Sequence, residues 1–180
     1  MFNKTLLAVA TATLLSSAVF SASAADEGHG KISFEGIVIS APCSIAPGDE
    51  DQTINLGEVA DTALNGDKYS LPVDVNIHLQ DCTLGTISKV DVTFTSANAD
   101  ATTNLLKNTS EGNYGGATDV GVRLLTAGNE NVVMGTPQEI TLAPDSSYQV
   151  LSFKARMESP ENTATPGNVT TDVNYVLAYN

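Results

Sequence analysis

Gly167-Asn168-Val169-Thr170-Thr171-Asp172-Val173-Asn174-Tyr175-Val176-Leu177-Ala178-Tyr179-Asn180 alternates in character along its length. The odd positions Val169, Val173, Tyr175, Leu177 and Tyr179, with Thr171 among them, form a mainly apolar row. Most even positions, Asn168, Thr170, Asp172 and Asn174, are polar. A period of two over this length predicts a β-strand with one face toward a core. No proline interrupts it, and Gly167 marks its start. As the last segment of the chain, it is expected to leave an edge that no later segment covers. A long apolar strand with an open edge invites association unless something pairs with it. The functional question is what supplies that partner.

A second alternating stretch lies near the other end. In Ile32-Ser33-Phe34-Glu35-Gly36-Ile37-Val38-Ile39-Ser40, one face carries Ile32, Phe34, Gly36 and Val38. Gly36 leaves a gap in that row. It reads as a bulge or weak point, or as a place where another chain must come close. Residues 25–31 ahead of it are polar and Gly-rich, contain His29, and are expected to be flexible. Before them, Lys4, an apolar run from Leu6 to Phe20, and Ala22-Ser23-Ala24 have the layout of a secretory signal peptide cleaved after Ala24. The run is too short and too rich in Ser and Thr for a membrane span. The expected organisation is a signal peptide over 1–24, an N-terminal extension over 25–40, and one domain over 41–180.

The domain reads as all-β. Alternation predicts strands at Tyr69–Gln80, Ser88–Ser96, Asp119–Thr126 and Ser147–Glu158, with shorter ones at Thr53–Leu56, Val132–Met134 and Ile140–Leu142. Pro72 suits an edge or first ladder position. His78 falls on a polar strand face and is expected to be exposed. Pro47 to Asp51 reads as a solvated turn, its three acids lacking the ligand spacing of a calcium loop. Residues 57–68 read as loop or a single helical turn, and 98–113 as polar apart from Leu105 and Leu106. Six or seven strands with turns between them describe a β-sandwich of immunoglobulin-like size.

The formal net charge of −13 repels phosphate backbones and anionic lipid, so nucleic acid and membrane surfaces are not expected partners. Cys43 and Cys82 are the only cysteines. In an exported chain such a pair reads as one disulfide, with a reactive or metal-binding pair as the other reading. A disulfide would close a loop of about 40 residues and limit the unfolded chain by about 4 kcal/mol in the chain-entropy account. Two histidines, His29 and His78, give no nucleophilic triad or zinc set, and no phosphate loop or dinucleotide fingerprint is present. No catalytic, cofactor or metal residues are expected. Asn108-Thr109-Ser110 and Asn168-Val169-Thr170 match the glycosylation pattern, to which the sequence alone attaches no role.

Four features in order resemble the pilin subunits of chaperone–usher fimbriae, above all the major subunits of P and type 1 fimbriae. They are the Gly30 to Gly36 stretch leading through Val38-Ile39-Ser40-Ala41-Pro42 into Cys43, the placing of Cys82, Gly167 fourteenth from the end, and Tyr179 next to last. The resemblance spans the chain beyond the signal peptide. It implies an incomplete immunoglobulin-like sandwich lacking its seventh strand, with a disulfide and an N-terminal donor strand. It implies that Ile32, Phe34, Gly36 and Val38 form the donor row. Gly167, Val169, Val173, Tyr175, Leu177 and Tyr179 would form the acceptor groove and chaperone-binding strand. The implied partners are a periplasmic chaperone, an outer-membrane usher and neighbouring subunits, with an extracellular fimbrium on the bacterial surface as the destination. The resemblance implies a structural subunit, in the main rod, with no enzymatic activity and no cofactor. The alternative is a secreted monomeric carbohydrate-binding sandwich, which predicts a closed sheet and an exposed aromatic platform built on Tyr114 and Tyr148.

Overall fold

A computed structural model describes residues 30–180 apart from 67 and 114. The expectations for the signal peptide, His29 and Tyr114 lie outside the described residues. The chain divides into two units, Met1–Val38 and Ile39–Asn180. In the first, the described residues form no ladder and no helix, and all are exposed. The strand expected from Ile32 is therefore absent here: its apolar row has no sheet to pair with, and an unpaired strand is not stable by itself.

The second unit is all-β but for one helical turn. Its elements are β1 (Ser44–Ile45), α1 (Asp61–Leu64), β2 (Val73–Gln80), β3 (Lys89–Thr95), β4 (Leu106–Lys107), β5 (Gly121–Thr126), β6 (Gln138–Thr141), β7 (Gln149–Glu158) and β8 (Asn174–Tyr179). They build a five-stranded sheet in the order β1-β2-β7-β5-β4 and a three-stranded sheet in the order β6-β3-β8. All these strand pairs are antiparallel. The main core takes Ile77, Leu79, Leu124, Leu151 and Phe153 from the first sheet and Val90, Val92 and Phe94 from the second. Phe94 meets Phe153 edge to face, with ring centroids 4.8 Å apart. Such contacts between two inner faces make a β-sandwich.

The burial of each strand follows its sequence alternation. β7 buries Gln149, Leu151, Phe153, Ala155 and Met157, and β3 buries Val90, Val92 and Phe94. β2 ends at Gln80, and Asp81 turns out of it with φ of 53°. Cys43 and Cys82 form the disulfide, which ties the chain just before β1 to the chain just after β2.

Four expectations are corrected. Thr53–Leu56 forms no strand, although Gln52, Ile54 and Leu56 are half-buried and Thr53 and Asn55 exposed. The pleat is there, but no ladder partner is. Val132–Met134 forms no strand: a single bridge, Leu125↔Asn131, precedes it, and Val132, fully buried, donates its N–H to the Leu124 carbonyl at 3.0 Å. Within 98–113, Leu106–Lys107 is a short strand on β5. His78 is half-buried, because the Asp49 carboxylate accepts its backbone N–H at 2.6 Å and lies 2.7 Å from its Nδ1. β5 also departs from simple alternation, since Arg123 on its other face is buried and paired with Glu158 at 3.0 Å.

Candidate functional site

β8 is an edge strand, paired with β3 alone. Asn180 and Lys89 exchange both backbone hydrogen bonds, at 2.9 and 3.1 Å. In an antiparallel ladder, bonded and non-bonded pairs alternate. The even residues Asn174, Val176 and Ala178 therefore bond across to β3, opposite Thr95, Thr93 and Asp91. The odd residues aim their N–H and C=O groups the other way. The same parity continues upstream of β8. Asn168 bonds to Gly115 and Ala117, the Thr170 carbonyl accepts from Thr109, and the Asp172 carbonyl accepts from Ser96 Oγ. Among the described residues, no backbone group of Val169, Thr171, Val173, Tyr175, Leu177 or Tyr179 has a partner on the open side.

The side chains of those six residues face inward, and every one is half-buried. Their neighbours across β3 show what full cover looks like. Val90, Val92 and Phe94 stand opposite Tyr179, Leu177 and Tyr175 and are 0%, 0% and 2% exposed. The row also touches every core cluster of the domain. Tyr175, Leu177 and Tyr179 pack on the main core, Val173 on two clusters, and Val169 on the two that hold Leu64 and Leu106. An incomplete lid thus lies over a continuous core.

The segment after β1 forms a second wall. It leaves the sheet at the Pro47–Asp51 turn, and from Asp51 to Val59 its backbone makes one hydrogen bond among the described residues, Gly57 N–H to Asn55 Oδ1. It is held by side chains. Gln52 donates to the Asn76 carbonyl at 2.8 Å, and Leu56, like Val169 and Val173, packs against the cluster of Leu106, Val122 and Ala155. The Tyr175 hydroxyl donates to the Asp49 carbonyl at 2.9 Å and bridges the two walls. Burial, with the negative charges of Asp49 and Glu50 and of Tyr179, pushes the Tyr175 phenol above its ordinary value, and burial does the same at Tyr179.

Gly167 and the donor residues stand differently. A Cβ on Gly167 would lie 2.3 Å from Ala117 N, so this glycine is needed for close backbone packing. Cys43 and Cys82 pin the start of the second wall. Ile32, Phe34 and Val38 are 79%, 89% and 101% exposed, and nothing lies within 4 Å of a Cβ built on Gly36. Among the described residues no three or more His, Cys, Asp and Glu gather to hold a metal, and no helix is long and apolar enough to cross a membrane.

An apolar hollow of about 450 Å³ adjoins Leu56, lined by Val59, Ala63, Leu71 and Val73. Among the described residues one aromatic, Tyr69, lines it. The Arg156 guanidinium covers Tyr69 at 3.6 Å from the ring centroid, and Tyr148 stacks with His78 at 5.9 Å. The open β8 edge also departs from the closed sheet expected of a monomeric carbohydrate-binding sandwich. Sequence reasoning missed Asp49 as a bridge between the walls and Asn108 as an anchor of the terminal segment. The first carries no signal. The second lay in the two Asn-x-Ser/Thr triplets, which the fold brings together.

The family model described as "Fimbrial protein" matches residues 32–180. The chain is 55% identical to the uncharacterized fimbrial-like protein YgiL of Escherichia coli K12, over 99% of this chain and 98% of that protein. It is 37% identical to the major MR/P fimbria protein of Proteus mirabilis HI4320, over 88% of this chain and 89% of that one. A subunit from the structure of a chaperone–usher pilus superimposes with a TM-score of 0.69 at 26% identity, covering 86% of this chain and 97% of its own. The P pilus rod subunit PapA does so with a TM-score of 0.62 at 25% identity, covering 78% and 100%. With its two-sheet sandwich, its single disulfide and its uncovered edge, the chain belongs to the fimbrial protein family.

Proposed function

We propose that this fimbrial subunit polymerises by accepting a strand from a neighbouring copy beside β8 and donating its own residues 32–38 to the next. The observation that carries this reading is the parity of the terminal segment. From Val169 to Tyr179, the residues with unpaired backbone groups are the same residues whose side chains half-cover the core. One added strand would satisfy both deficits at once, its main chain giving the hold and alternate side chains the register. Ile32, Phe34 and Val38 would each gain about 2 kcal/mol on full burial, before ordering costs. The strand enters between β8 and the Gln52–Leu56 wall, whose pleated but unladdered backbone supports pairing on that side too. Before assembly, a periplasmic chaperone lends the strand, and an outer-membrane usher is the place of exchange. The names of the relatives, a major fimbria protein and a pilus rod subunit, favour a place in the main rod of a surface fimbrium. The role is structural and needs no cofactor.

The test adds residues 26–40 after Asn180 through a short linker. The expected product is a monomer that unfolds at clearly higher denaturant than the chain beginning at Ala25 and forms no polymer. Equal stability of the two chains as monomers would overturn the reading.

A further inference from the structure

The two Asn-x-Ser/Thr triplets meet in the fold. Asn108-Thr109-Ser110 lies against Asn168-Val169-Thr170, beyond the point where β8 leaves the β3 ladder. Asn108 is 5% exposed, and its amide is fully used. Its Nδ2 donates to the carbonyls of Ala117 and Asn168, at 2.8 and 3.0 Å. Its Oδ1 accepts from the Ser110 hydroxyl, the Ser110 N–H and the Thr170 N–H, at 2.7, 3.1 and 2.9 Å. Thr109 adds its N–H and its hydroxyl to the Thr170 carbonyl, at 2.7 and 2.9 Å. A glycosylation signal would need that amide free and exposed, and it is neither.

The β3 ladder ends at Thr95↔Asn174. Upstream of it, the clamp does the work of a sheet neighbour. It consumes the even backbone groups of Asn168 and Thr170 and so leaves Val169 and Thr171 aimed at the open side, in phase with Val173 to Tyr179. We infer that Asn108 is a positioning residue for strand acceptance, lengthening the acceptor row by the two positions Val169 and Thr171. This rests on the acceptor reading of the β8 edge and adds to it which part of the edge is built by a loop rather than by a ladder.

The test measures binding of synthetic peptides to the purified chain beginning at Ala25. One peptide carries residues 30–40, one lacks the first four of these, and one lacks the last three. Whichever truncation uncovers Val169 and Thr171 weakens binding to the natural chain by about tenfold, as expected for the loss of one to two buried apolar contacts. In Asn108→Ser that truncation costs less than twofold, while the other truncation costs what it does in the natural chain. Thr170→Val, an exposed change that removes only the contacts of the Thr170 hydroxyl with the Thr109 and Ser110 hydroxyls, each at 3.0 Å, moves the same ratio in the same direction and guards against misfolding of the first variant. General destabilisation would weaken all three peptides alike. Equal truncation losses in the natural and Asn108→Ser chains overturn the clamp while leaving the acceptor edge standing. Failure of every peptide to bind the natural chain overturns both.

Discussion

At Gly167 a single carbon atom decides whether the terminal segment can dock. A Cβ there would fall 2.3 Å from Ala117 N and 2.4 Å from the Gly116 carbonyl carbon, which are backbone atoms that cannot rotate away. Gly167→Ala is expected to destabilise the domain by about 3 kcal/mol, read as a lower urea midpoint with an unchanged slope. An unchanged midpoint would mean that the backbone shifts freely there. Thr171 is the opposite case. Its hydroxyl is buried without a partner among the described residues, in a row otherwise suited to apolar side chains. A buried, unbonded hydroxyl costs free energy. Thr171→Val keeps the shape and is expected to raise stability by about 1 kcal/mol. A fall in the urea midpoint would show that the hydroxyl has found a bond.

Among the elements, the loop between β7 and the terminal segment is organised by one carboxylate. Asp119 lies just before β5, with φ of 54°. It accepts the Ser159 hydroxyl at 2.5 Å, the Thr163 N–H at 2.8 Å and the Glu161 N–H at 3.1 Å. Partial burial works to raise its pKa, but the bonds from Ser159, Thr163 and Glu161 outweigh it and hold the carboxyl below its ordinary value. A depressed folded pKa stabilises the fold fully above the unfolded value of about 3.9. That contribution disappears as pH falls through the folded pKa. The penalty of Asp119→Asn, measured by urea unfolding, is therefore expected to be largest at neutral pH and to shrink steadily below about pH 4. A pH-independent penalty would assign the loop's order to something else. No period in the sequence announces this contact, because it joins positions about 40 residues apart through hydroxyl and amide geometry, and Asn108 likewise reaches Asn168 and Thr170 about 60 residues away. The strands were legible for the converse reason: β3 and β7 each bury one face and β8 half-buries one, and one-sided burial writes a period of two into the chain. Thr53–Leu56 carries that period too and yet forms no ladder. On the proposed function, its pattern would record a neighbour supplied by another subunit; within this chain it reflects one-sided burial without a ladder partner.

For the whole molecule, the β8 edge is uncovered and the row of Ile32, Phe34 and Val38 is exposed, and the proposed function pairs the one with the other between copies. On the proposed function, such a subunit would form a head-to-tail contact, which propagates rather than closes. On that reading, Gly36 separates assembly from folding in a single position. Nothing lies within 4 Å of a Cβ built there, so Gly36→Leu is expected to leave the stability of the subunit itself unchanged. Once the row enters a neighbour's groove, the same side chain has to fit where Gly36 left a gap among larger residues. Overpacking of this sort costs about 1–3 kcal/mol and displaces the flanking Phe34 and Val38 as well. The variant is therefore expected to lose the ladder of detergent-resistant polymers on a native gel while its urea midpoint as a monomer stays where it was. Normal polymers from Gly36→Leu would mean that this face of the extension does not enter the groove. A lowered midpoint would mean that Gly36 serves the subunit's own fold, and the division of labour between the two ends of the chain would have to be redrawn.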